Sequence, residues 1–140
     1  MKTPARWIFG LVVSTLATAI YAGHIELSGY PAKDAVHKFE IYTGETDRWD
    51  SAVQDAPPLS PGKASLAAKK FVHTVPLRDD MKEWGLRTIT LQQMSSAPEE
   101  WIYVVHFDAV PKAYSWNGPV PWIDIPVRFD GTIPKPNITK

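Results

Sequence analysis

Two segments, "WIYVVHFDAV" (101–110) and "PWIDIPVRF" (121–129), constrain the fold of this chain more than anything else in it. The second alternates strictly, with Ile123, Ile125, Val127 and Phe129 on one side and Trp122, Asp124, Pro126 and Arg128 on the other. Successive strand side chains point to opposite faces, so this pattern describes a half-buried strand. The first segment is apolar on both faces, as a central strand requires. If the loop 111–119 folds the two into a hairpin, residues whose numbers sum to about 230 face each other. Trp101 then meets Phe129, Tyr103 meets Val127, Val105 meets Ile125 and Phe107 meets Ile123. Every pair is apolar, and a slip of one residue would turn the apolar set to the wrong face. That face is the core.

Beyond Phe129, Asp130-Gly131 reads as a two-residue hairpin turn. A short edge segment, "TIPKP", follows, where Pro134 and Pro136 bar a central position. The cover for the core face is a helix in "SPGKASLAAKKFVHTVP" (60–76). Ser60 can cap it, Pro61 suits the first helical position and Pro76 ends it. Ala64, Ala67, Ala68, Phe71, Val72 and Val75 recur at helical spacing as one apolar stripe, with Lys63, Lys69 and Lys70 away from it. The stripe is mostly small residues, so the helix can lie close on the sheet. "LRTITLQQM" (86–94) and "VHKFEIYTGE" (36–45) read as further strands, the latter closing at Thr43-Gly44. "ETDRWDSAVQDAPPLSPG" (45–62) reads as a connecting loop. The expected class is α+β: one main helix packed on an antiparallel sheet of three to five strands.

The N-terminus has a different composition. Lys2 and Arg6 precede an uncharged run from Trp7 to Ala19, and small residues collect at Ala17, Ala19, Ala22 and Gly23. This is the order of a secretory signal peptide, cleaved after Ala19 or Ala22. The run is shorter than the roughly 20 apolar residues of a spanning helix. The expected partition is a signal peptide at 1–22, a strand and loop segment at 23–59, and a helix-plus-sheet unit at 60–140, forming one compact domain. A secreted or periplasmic location follows, with no membrane span after cleavage.

The 15 basic residues, less Lys2 and Arg6, leave 13 against 15 acidic ones. A near-neutral chain without a basic block has no electrostatic basis for binding nucleic acid. The absence of cysteine excludes thiol catalysis, cysteine-rich zinc sites and iron–sulfur clusters, and leaves the core to stabilise the chain without disulfides.

Two clusters are candidates for function. The hairpin register places His106 across from Asp124, and Asp108 near Trp122, on the face opposite the core. A His between carboxylates can serve as a general base or contribute to a metal site, since imidazole and carboxylate suit zinc. It is also what a plain cross-strand ion pair looks like. The second cluster is the loop "PKAYSWNGPVPW" (111–122), where Tyr114, Trp116 and Trp122 surround an Asn117-Gly118 turn. Aromatics on a polar, Pro-rich loop suit recognition of a protein or a glycan, unless the rings fold back over the end of the sheet. The chain has no Gly-rich phosphate loop, G-x-S-x-G or H-E-x-x-H motif, and no cofactor is expected.

The pieces "SPGKASLAAKKFVHTVP", "EWIYVVHF" and "IPVRFDGTIPKP" resemble the PepSY family over about residues 60–136. In that family a helix precedes an antiparallel sheet and the last hairpin carries an Asp-Gly type of turn. The resemblance implies a cystatin-like helix-on-sheet fold in an exported protein. It also implies a non-catalytic role, since family members occur in propeptides of secreted metallopeptidases and are proposed to restrain peptidases. The family has no catalytic residues to carry over. The loop 111–119 and the segment 23–59 have no counterpart in it. The expected function is therefore a small exported, non-catalytic binding module acting on a protein or peptidase partner. A carbohydrate- or cell-wall-binding domain using Tyr114, Trp116 and Trp122 is the second reading. A small enzyme or metal binder using His106, Asp108 and Asp124 is the third.

Overall fold

A computed structural model describes residues 23–30, 33–95 and 97–140. The segment read as a signal peptide, 1–22, lies outside the described residues. The strands are β1 (His24–Leu27), β2 (Gly29–Tyr30), β3 (Val36–Tyr42), β4 (Asp47–Arg48), β5 (Met81–Met94), β6 (Ala97–Pro111), β7 (Trp122–Val127) and β8 (Asn137–Thr139). The helix α1 spans Pro61–Val72. The class is α+β, with antiparallel sheets of three strands (β1-β3-β8) and five strands (β2, β7, β6, β4 and β5).

The central hairpin has the register its apolar pattern dictates. Tyr103 pairs with Val127, Val105 with Ile125, Phe107 with Ile123, and His106 with Asp124. Val105, Phe107, Ile123, Ile125 and Val127 are all buried against the helix side. Each such side chain taken out of water contributes about 1.5–3 kcal/mol. On α1, Ala64, Ala68 and Val72 are buried, while Ala67 and Phe71 pack against the core's edge. Ser60 accepts the Lys63 N–H at 3.3 Å as the helix N-cap. The helix stops at Val72, short of Pro76, but Val75 still reaches the core.

The pairing of Trp101 with Phe129 does not form. β7 ends at Val127, and β4 takes the next places along the same edge of β6, with Asp47 opposite Trp101 and Arg48 opposite Glu100. Phe129 instead sets its ring edge-on to Tyr103 at 5.7 Å. The turn also differs from a two-residue hairpin. Gly131 N–H donates to the Arg128 carbonyl at 2.9 Å, and Arg128 N–H donates to the Thr132 carbonyl at 2.9 Å, which encloses a three-residue loop. Gly131 sits at φ +82°, a backbone region that favours glycine. Asp130 is a turn residue: its carboxylate accepts the Thr132 hydroxyl at 2.6 Å and the Thr132 N–H at 2.9 Å. These bonds hold its carboxyl below the usual range. "TIPKP" forms no strand, and the chain runs on to β8, which pairs with β3 in the other sheet.

Segment 23–59 joins the core. His37, Phe39 and Ile41 of β3 are buried, as are Ile25 and Leu27 of β1. Glu100, only 5% exposed, accepts the Gly44 N–H at 2.9 Å and the Thr46 hydroxyl at 2.8 Å, tying the turn after β3 to β6.

Candidate functional site

The antiparallel pairing of β6 with β7 sets the imidazole of His106 beside Asp124, since directly opposed residues share a face. His106 Nδ1 lies 2.6 Å from Asp124 Oδ1, and Nε2 lies 3.0 Å from Asp108 Oδ1. Asp108 shares the face because it is two residues along the same strand. A register shift in β5 between Leu86 and Thr88 releases Arg87 from the ladder, and its Nε donates to Asp108 Oδ2 at 2.9 Å. Trp122 tilts its ring against the imidazole at 5.7 Å between centroids.

This arrangement is closed on itself. Both ring nitrogens face carboxylates, and the far oxygen of Asp108 is taken by Arg87. Thr88 is the cross-strand neighbour of His106, yet neither ring nitrogen is free to take its proton. The two nitrogens serve different carboxylates, so the three side chains do not converge on one point as metal ligands would. Among the described residues no group of three or more His, Asp or Glu is placed to hold a metal ion.

Burial pushes the Asp124 carboxyl above its ordinary value, against the pull of the His106 hydrogen bond. The folded chain therefore holds this proton to higher pH than the unfolded chain does. Stability gained from it is complete below the ordinary Asp value of 3.8 and is lost as pH rises through the raised one. Relative to Asp124→Asn, the wild type should lose stability as pH rises above the ordinary Asp value and through the raised one. Urea denaturation of both proteins across that range checks this, and a relative gain with pH would contradict it.

The aromatic loop is built differently. Its base is closed by Ala109 N–H donating to the Pro121 carbonyl at 2.8 Å. Lys112 N–H donates to the Asp80 carbonyl at 3.0 Å, which ties the loop to the turn before β5. Arg78 reaches the Asp80 carboxylate through Nε at 3.1 Å and Nη2 at 2.8 Å. The Arg78 guanidinium hydrogen bonds hold the Asp80 carboxyl below its usual range. The same guanidinium lies 5.7 Å from the centre of the Trp116 ring, within cation–π range. Trp116 Nε1 donates to the Gly118 carbonyl at 2.7 Å. Trp116 is thus held in place and half-buried, while Tyr114 beside it is fully exposed at 109%.

The three aromatics expected to act together are divided. Tyr114 and Trp116 stand on the loop, whereas Trp122 is the first residue of β7, beside His106 and opposite Tyr30 of β2. Arg78, Asp80 and Arg87 carry both arrangements and were not apparent in the sequence. An Arg-Asp-Asp run before a strand was the only signal for the first two. No family model, curated protein or solved structure matches the chain.

Proposed function

We propose that the chain is a small exported, non-catalytic binding module of PepSY-like character that recognises a protein partner through Tyr114 and Trp116. The observation that carries this reading is the pinned loop. A fully exposed tyrosine stands beside a tryptophan fixed by Gly118 and Arg78, on a turn anchored to the main sheet. Rigid aromatics lose little conformational freedom on binding, which is why Tyr and Trp dominate interface hot spots. The closed His106 network supports the non-catalytic half of the reading, since it leaves neither a free base nor a converging ligand set. The basic start, apolar run and small residues before Gly23 support export. A protein partner is favoured over a glycan because the aromatics stand on different elements, Tyr114 and Trp116 on the loop and Trp122 in β7. Arg78 lies against Trp116, and Trp122 belongs to the sheet.

Immobilised chain exposed to the extracytoplasmic fraction of the producing cells tests the proposal. Tyr114→Ala and Trp116→Ala should each weaken retention by about thirty-fold, the effect of a 2 kcal/mol hot spot. Their melting temperatures should stay close to that of the wild type. Retention that survives protease digestion of the fraction would point to a glycan instead. Equal retention by all three proteins would overturn the proposal.

A further inference from the structure

β5 is a long edge strand. Among the described residues it pairs with β6 alone, so one row of its backbone N–H and C=O groups has no strand beside it. Edges of this length invite pairing unless charge, proline or irregularity blunts them. Here those devices lie to either side of one stretch. Lys82, Glu83 and Arg87 occupy the first half, and irregularities fall between Leu86 and Thr88 and between Gln93 and Met94. Between them Thr88–Gln93 runs in unbroken register, without charge or proline.

We infer that this stretch pairs antiparallel with the same stretch of a second copy of the chain, about a two-fold axis at Thr90. A two-fold contact must be self-complementary, with residue i of one copy meeting residue j of the other and the reverse. With the axis at Thr90, Ile89 meets Leu91, Thr88 meets Gln92, and Thr90 meets itself. Apolar residues oppose apolar ones and polar oppose polar ones throughout. An axis at Ile89 would set Arg87 against Leu91, and one at Leu91 would set Ile89 against Gln93. Ile89 and Leu91 are partly buried against the core edge, so their cross-pairing would make the two cores continuous. Thr88 and Thr90 are exposed on the opposite face. No other occupant of the edge is favoured by a complementarity of this kind. The pairing does not involve Tyr114 or Trp116.

Sedimentation of the purified chain over a range of concentrations tests this inference. The wild type should form a reversible dimer. Thr90→Lys and Thr90→Glu each place like charges against each other on the axis, and each should raise the dimer dissociation constant by at least about ten-fold. An equimolar mixture of the two should recover the dimer, because Lys then meets Glu. If the Thr90 variants do not fold, the double variants Thr88→Lys, Gln92→Lys and Thr88→Glu, Gln92→Glu make the same comparison. A wild type that stays monomeric at about 1 mM would overturn the inference. So would a Thr90→Lys protein that dimerises normally, or a mixture that fails to recover the dimer.

Discussion

Phe39→Ala should destabilise the chain by about 3–5 kcal/mol, the range for emptying a buried aromatic site. Phe39 is fully buried in the middle of β3, and its ring meets Phe71 of α1 edge-on at 5.7 Å. It therefore joins the three-stranded sheet to the helix that covers the five-stranded one. Removing the ring costs its transfer from water, the edge-on contact, and the cavity left between elements held by other bonds. Urea denaturation gives the value directly. A loss below about 1 kcal/mol would mean that segment 23–59 is not part of the cooperative core.

Gly29→Ala should cost about 1–3 kcal/mol, although it adds only a methyl group. An added Cβ at Gly29 would lie 2.4 Å from the Trp122 carbonyl oxygen and 3.1 Å from the Ile123 Cα. Both are backbone atoms of β7, which is itself paired to β6, so they have little room to move. β2 must lift from the sheet edge instead, giving up its pairing of Gly29 with Ile123 and Tyr30 with Trp122. Faster amide exchange at Tyr30, together with the lost stability, would identify that mechanism. Ser28→Ala, at an exposed position next door, should stay within about 0.5 kcal/mol of the wild type.

The parts of this structure that local pattern determines were legible in the sequence. Period-two alternation in 121–129 carried the register of the central hairpin, and the register alone brought His106 to Asp124. Ser60, Pro61 and the small-residue stripe carried the start and the buried face of α1. What was not legible depends on distant segments meeting. β4 displaces Phe129 from the edge of β6 because a turn in 43–46 is tied down by the buried Glu100. The three-stranded sheet needs β8 to cross from the turn at Gly131 to β3, and no local propensity encodes that path. Arg87 reaches Asp108 through a register shift, and Arg78 reaches Trp116 because the turn before β5 lies beside the loop. Sequence adjacency grouped Trp122 with Tyr114 and Trp116, but it belongs to β7 and lies against His106, while the other two stand on the loop.

The most direct test of the binding account is site-specific photo-crosslinking in the extracytoplasmic fraction of the producing cells. A photoreactive phenylalanine would replace Tyr114 in one protein and Val53 in another, the latter being an exposed apolar residue on the loop before α1. The expected result is a discrete protein adduct from position 114 and none from position 53. Adducts from both positions alike, or none from position 114, would contradict the account.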